Sequence, residues 1–228
     1  MKDDILTYRE MCDLEDVQTL QRGMNFQLNP THSVVLMSQR SNAPYSDMIL
    51  EDGITIEYEG HDVPKSTEVV DPKRVDQALI TKTGSLTQNG LFVKAIEEYC
   101  KKNRSAEKIR VYEKLFSGVW SYRGLFDLVD YYQVQSNERM VFRFRLQLTE
   151  DEATNTTDGL RRRTRIIPTQ VKKEVWERDG GKCVICGATD ELHFDHDIPF
   201  SRGGASITAD NVRILCARHN LQKSDKIQ

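Results

Sequence analysis

Residues 182–187 read KCVICG, 194–204 read FDHDIPFSRGG, 211 is Asn, and 216–223 read CARHNLQK. Cys183, Cys186, Cys216 and His219 form a C-x2-C…C-x2-H set, the spacing of a closed structural zinc site. Four soft N/S ligands leave no open coordination position, so the ion they imply holds structure and does no chemistry. Threaded through the set are Asp195, His196, Asn211 and Asn220, residue types that bind a hard cation and activate a water. A domain of about sixty residues has a small core, and a metal staple is an expected part of its fold.

Upstream, Thr169–Gly181 (TQVKKEVWERDGG) predicts a short helix with Thr169 as N-cap and Gly180-Gly181 as its stop. Val171, Val175 and Trp176 would form its buried face. Before it lie an arginine cluster (Arg161, Arg162, Arg163, Arg165) and the aperiodic, polar stretch TEDEATNTTDG. The division expected is therefore 1–150, a linker over 151–166, and 167–228. The N-terminal part has β texture. Strands are predicted at 33–38, 54–60, 108–115, 125–134 and 140–148, the last alternating apolar and basic residues. Residues 90–102 (GLFVKAIEEYCKK) predict an amphipathic helix with Leu91, Val93, Ala95, Ile96 and Tyr99 as its apolar set. Strands on either side of a helix predict an α+β domain built on a curved sheet or barrel.

Composition sets outer bounds. The chain has 228 residues, room for one large or two modest domains. The acidic, mixed opening MKDDILTYRE is not expected to be a secretory signal, and no apolar run approaches the ~18–20 residues of a membrane span. Five cysteines, three at metal spacing, point to a reducing cytoplasm, with Cys12 and Cys100 as free thiols. Net charge is −3, so affinity for nucleic acid would have to come from local patches. Lys101, Lys102, Arg104, Lys108 and Arg110 form one, read equally well as solvated surface; the arginines at 161–165 form the other.

From about Val171 to Lys226 the chain resembles the HNH (ββα-metal) nucleases. Asp195-His196 matches the family's pair on a β-hairpin, Pro199 and Gly203-Gly204 its loop, and Asn220 the position on the following helix. The family usually has Cys where His219 stands, an equally good zinc ligand. The resemblance implies that Asp195 and Asn220 hold a catalytic Mg²⁺ or Mn²⁺ and that His196 takes the proton of the attacking water. An ordinary imidazole, titrating near about 6.5, suits that role. Asn211 would hold His196 or the hairpin, and Lys223 with Arg161, Arg162, Arg163 and Arg165 would meet the DNA backbone. His193 is expected on the strand surface, and His32 and His61 outside any metal context.

Further upstream, Ser33–Ser38, Pro44-Tyr45-Ser46-Asp47, Ile56–Gly60, Asp76-Gln77, Ile109-Arg110-Val111, Tyr122–Phe126 and Val141–Leu146 follow in an order that resembles the SRA (SET- and RING-associated) domain, over roughly residues 30–148. That family flips a modified cytosine out of duplex DNA. The resemblance implies stacking by Tyr45 and Tyr58, an amine acceptor in Asp47, and Ser46 and Glu59 nearby. Residues 77–86 lack the asparagine usual near that point, and residues 1–30 match nothing, an added helix or a dimerisation element. The function expected is a bacterial or archaeal restriction endonuclease, a homodimer, directed at double-stranded DNA bearing 5-methylcytosine or 5-hydroxymethylcytosine. The alternatives are an HNH nicking enzyme reading unmodified DNA and a non-catalytic zinc-stabilised DNA-binding protein.

Overall fold

The computed structural model describes residues 3–149, 167–196 and 208–223. The linker expected at 151–166, with its arginines, and the loop bearing Pro199, Gly203 and Gly204 lie outside the described residues. The larger unit is a mixed sheet with the path β2(Met24–Asn29)–β3(His32–Met37)–β6(Glu107–Phe116)–β7(Val119–Ser136)–β8(Arg139–Leu148)–β5(Thr55–Glu59)–β4(Met48–Ile49), and β1(Ile5–Leu6) added on β7. The path ends at β2 and β4, so the sheet is open. Only β3 and β6 pair in parallel, and the other neighbours are antiparallel.

Each strand predicted upstream of residue 150 is present, four of them within a residue at either end and the one expected at 125–134 extended to Val119–Ser136, and the α+β expectation holds. Helix α1(Tyr8–Leu14) begins with a capping box, Thr7 accepting from the Glu10 amide while Glu10 reaches back to the Thr7 amide. Residues 3–30 do hold an added helix, α1, and also supply β1 and β2 to the main sheet.

Helix α2(Gln88–Cys100) starts two residues before its predicted start because Thr87 caps it, its Oγ1 accepting from Gly90 N at 3.1 Å. Its buried side is Phe92, Val93, Ala95 and Ile96, whereas Tyr99, predicted apolar-face, is exposed. Phe92 packs edge-on against Phe26 and Phe144, with centroids 5.7 and 5.5 Å away, and anchors the core between α2 and the sheet.

The C-terminal unit is a hairpin, β9(Leu192–His196) on β10(Val212–Cys216), flanked by α3(Thr169–Asp179) and α4(Ala217–Lys223). Gly180, at φ 65°, ends α3 as predicted. Thr169 does not cap it: Pro168 takes the cap position without a side-chain bond, and the Thr169 hydroxyl is spent elsewhere. The α3 C-terminus pins β10, with Arg178 donating to the carbonyls of Ala209 (2.7 Å) and Val212 (2.6 Å) and Asp179 accepting from Ile214 N (2.9 Å).

The two units share a core. Val171, Val175, Phe194, Val212 and Ile214 cluster with Ile5 and Leu115, and Ile167 joins them. At the same face the β6–β7 ladder shifts register between Val111↔Gly124 and Tyr112↔Tyr122, leaving Arg123 as the extra residue. Gly124, at φ 116°, makes this bulge possible. The bulge aims Arg123, fully buried, at Glu113 and at the start of α3.

Gly90 offers a check on the α2 packing. A Cβ there would stand 2.1 Å from the Leu79 carbonyl oxygen. In an ordinary helix Gly→Ala stabilises by about 1 kcal/mol. Here the sign reverses, and Gly90→Ala is expected to destabilise by about 1–3 kcal/mol in urea unfolding.

Candidate nuclease centre and base-binding cluster

The four zinc-type ligands come together. Cys183 Sγ and Cys216 Sγ each lie 3.4 Å from His219 Nδ1, Cys186 Sγ lies 3.8 Å from Cys216 Sγ, and all four donor atoms fall within 4.8 Å of one another. Tetrahedral Zn–S bonds of about 2.3 Å put two sulfurs about 3.8 Å apart, so the set fits that ion. Backbone turns build it: Cys183 N donates to Ala188 O and Gly187 N to Cys183 O, both at 2.8 Å. Burial pushes the Cys183 thiol up, but the amides of Cys216, Cys186 and Ile185 and the His219 ring pull it down to about 6, towards the thiolate a metal needs.

Asp195 and His196 sit at the end of β9, across from Arg213 and Val212. Asn211 immediately precedes Val212, the register partner of His196. Asn220 is half-buried on α4, one turn before Lys223. Lys223 was expected at a DNA backbone; its side chain is instead buried, its Nζ on Asp195 Oδ2 and on the His196 carbonyl oxygen. The Asp195 side chain keeps about 20 % of its surface exposed. Asp195 and Asn220 carry oxygens of the kind a hard divalent cation takes as ligands. His193 is not on the strand surface: it is buried, with Nδ1 2.8 Å from Asp4 Oδ1.

At the β4–β5 end of the sheet path, Tyr45, Asp47, Tyr58 and Glu59 gather around the end of β5. Asp47 is buried, its Oδ1 accepting from Glu59 N and its Oδ2 from Ser38 N, both at 3.1 Å. Burial outweighs these bonds and raises its pKa to about 7. Tyr45 stacks on His61 (5.5 Å, 16° between planes), with Lys73 Nζ 3.9 Å from the Tyr45 ring centroid. Tyr58 is a core residue whose hydroxyl donates to Leu36 O at 3.4 Å. Glu59 braces the site, accepting from Ser46 N (2.9 Å) and pairing with Arg139 (3.2 Å) and Arg143 (3.4 Å). Ser46 is exposed.

Three residues of this cluster were given no role from the sequence, although Gln77 stood in the Asp76-Gln77 block. The His61 ring, set aside for want of metal context, is part of it; burial first, against the opposing Asp62 charge, lowers its pKa to about 4 and keeps it neutral. Asn89 clamps the His61 backbone, accepting from His61 N and donating to His61 O, both at 2.8 Å. Gln77 bonds Gly60 O and accepts from Phe142 N (2.8 Å). Asparagine and glutamine flanking a loop were the available signal. The basic patch at 101–110 is largely neutralised: Lys101, Arg104, Lys108 and Arg110 pair with Glu98, Glu107, Asp127 and Glu15.

Residues 183–226 match the HNH endonuclease family, the region that carries the Cys/His cluster and the Asp195-His196 hairpin. The C-terminal unit is thus an HNH endonuclease domain, of the divalent-metal-dependent class of DNA endonucleases. The chain is similar to the SRA domain of SUVH5 in complex with hemimethylated CG DNA (20% identity, TM-score 0.42, 63% of this chain and 85% of that one). It is also similar to the modification-dependent TagI restriction endonuclease (17%, 0.43, 97% and 76%) and to SUVH6 of Arabidopsis thaliana (18%, 0.43, 76% and 28%). Among curated proteins nothing matches. No helix among the described residues is long and apolar enough to cross a membrane.

Two outcomes test these geometries. Cys183→Ser should lose bound zinc by elemental analysis and unfold the hairpin, while His219→Cys should retain the metal. Asp47, raised from 3.8 to about 7, holds extra protons in the folded state, so its contribution is complete below about pH 3.8 and is lost as pH rises through 7. Asp47→Asn should therefore gain stability relative to the wild type as pH rises from 4 to 8. The difference between the two urea-unfolding curves isolates this effect, because His61 titrates in the opposite sense.

Proposed function

We propose that the protein is a modification-dependent restriction endonuclease: it takes a 5-methyl- or 5-hydroxymethylcytosine out of duplex DNA and hydrolyses the backbone nearby. The observation that carries this reading is one chain holding both an HNH domain and, by the end of β5, a buried carboxylate beside aromatic rings. Cytosine presents an amino donor and a ring-nitrogen acceptor on its pairing edge. Asp47 near its midpoint at neutral pH can accept from the first as carboxylate or donate to the second as acid. Tyr45 supplies the stacking face, and Glu59, Asn89 and Gln77 hold the strand end that positions both.

In the nuclease, Asp195 and Asn220 would hold a Mg²⁺ or Mn²⁺ ion, which when bound polarises the phosphate and stabilises the leaving 3′-oxygen. His196 takes the proton of the attacking water. Lys223 keeps Asp195 aimed by bonding both its carboxylate and the His196 carbonyl. Asn211, just before β10, would steady the hairpin, and zinc on Cys183, Cys186, Cys216 and His219 would fix the fold. Arg161, Arg162, Arg163 and Arg165 would meet the backbone. One such centre cuts one strand, so double-strand cleavage would require a homodimer.

A digest of matched unmodified, methylated and hydroxymethylated duplexes tests the reading. Cutting should require the modification, stop with EDTA and return with Mg²⁺ or Mn²⁺; equal cutting of all three would refute modification dependence. His196→Ala should keep its zinc and its binding of modified DNA and lose cleavage by about 10²–10⁴-fold.

A further inference from the structure

Three joints tie the nuclease to the larger sheet, and none passes through residues 151–166. The first is polar and buried. Arg123 Nε donates to Glu113 Oε2 at 2.6 Å, and its other nitrogens reach the Ile167 carbonyl and the Thr169 hydroxyl (2.9 Å), at the start of α3. The Thr169 hydroxyl also lies 2.6 Å from Glu113 Oε1 and against Gln39 Oε1. Gln39 in turn donates to the backbone carbonyl of Asp47 (3.4 Å), so the segment bearing the buried carboxylate touches the nuclease helix through one side chain.

The second joint is a β strap. Asp4 bridges antiparallel to His193 on β9, and Asp3 O accepts from Phe194 N (3.2 Å). The next residues, Ile5 and Leu6, pair with Ser121 and Trp120 of β7, respectively. Asp3 and Asp4, which also bond the Tyr122 backbone, therefore tie both units together, and the strap meets β9 two positions away from Asp195. Lys172 of α3 closes the strap, buried, with Nζ 2.6 Å from Asp3 Oδ1 and 2.7 Å from Ser121 Oγ. The third joint is apolar, Ile5 and Leu115 with Ile167, Val171 and Val175, and separating the units would wet it.

We infer that the base-reading sheet and the nuclease hairpin act as one rigid unit, so that cleavage falls at a fixed offset from the modified cytosine. The inference rests on the base-reading function proposed above. A nuclease held only by the chain at 151–166 would wander over about 20–25 Å, or several nucleotide steps of about 3.4 Å. Directional bonds from buried Arg123 and Lys172, with the strap, remove that freedom.

The experiment maps cuts on a long duplex carrying a single modified cytosine, beside its unmodified twin. The proteins are the full chain, a variant whose 151–166 segment is doubled with Gly/Ser, and Asp3→Asn/Asp4→Asn. The wild type should cut at one offset, to within about a nucleotide, and the insertion should leave that offset unchanged. The strap variant should bind the modified duplex as the wild type does and spread its cuts over several positions. Modification-dependent cutting that is scattered in the wild type, or that moves with the insertion, overturns the fixed offset and leaves base reading standing. Equal cutting of the unmodified twin overturns both. The insertion variant leaves the strap intact and carries the test alone should the strap variant not fold.

Discussion

The buried Arg123–Glu113 pair is the constraint on which the arrangement turns. Both side chains are fully desolvated, a condition tolerated only when every donor and acceptor finds a partner. Their partners are drawn from β6, β7, the residue before Pro168 and the first turn of α3, so satisfying the pair fixes where the nuclease begins. A lone buried guanidinium costs several kcal/mol, far more than a surface pair contributes. The joint is therefore specific before it is strong: many placements of α3 would bury its apolar face, but few would also complete Arg123.

Within the nuclease, chemical hardness divides the labour. Thiolates and an imidazole make the soft set, which closes on itself; a carboxylate and an amide would make the hard set of the proposed mechanism. The two sets are mechanically joined through α4. His219 and Asn220 are consecutive on that helix and so point about 100° apart, and Lys223 lies one turn beyond. Fixing His219 in the soft set steadies the helix from which Lys223 reaches Asp195 and the His196 carbonyl on β9. The staple thereby steadies a lysine contact to Asp195 that it never touches.

Much of this was legible in the sequence wherever the signal was local. Ligand spacing at 183–219 reports a tight turn and a helix start, and alternation at 140–148 reports a half-buried strand, since both depend on neighbours along the chain. What escaped notice depends on distant partners. Lys172 looks like a solvated helix charge until Asp3 and Ser121 arrive from the N-terminus. Thr169 looks like a cap until Glu113 and Gln39 claim its hydroxyl. His193, at what seemed an idle offset, is the anchor for Asp4. In Tyr122-Arg123-Gly124 the glycine was visible, but that it licenses a bulge which turns Arg123 inward follows only from the register of β6 against β7.

The base-reading proposal places a further demand on Tyr45. Its ring already carries His61 at 5.5 Å and Lys73 at 3.9 Å. A base sandwiched between two rings needs them about 7 Å apart, about 3.4 Å on each side, so the Tyr45–His61 stack must part before a cytosine can lie between them. An aromatic pair contributes about 0.5–1.5 kcal/mol, and stacking a base returns about 1–3 kcal/mol. That exchange is near balance and blind to base identity. Discrimination must then come from groups that read an edge and not a face. Among the described residues Asp47 is the one whose burial, two-amide cradle and midpoint near 7 fit it to that task.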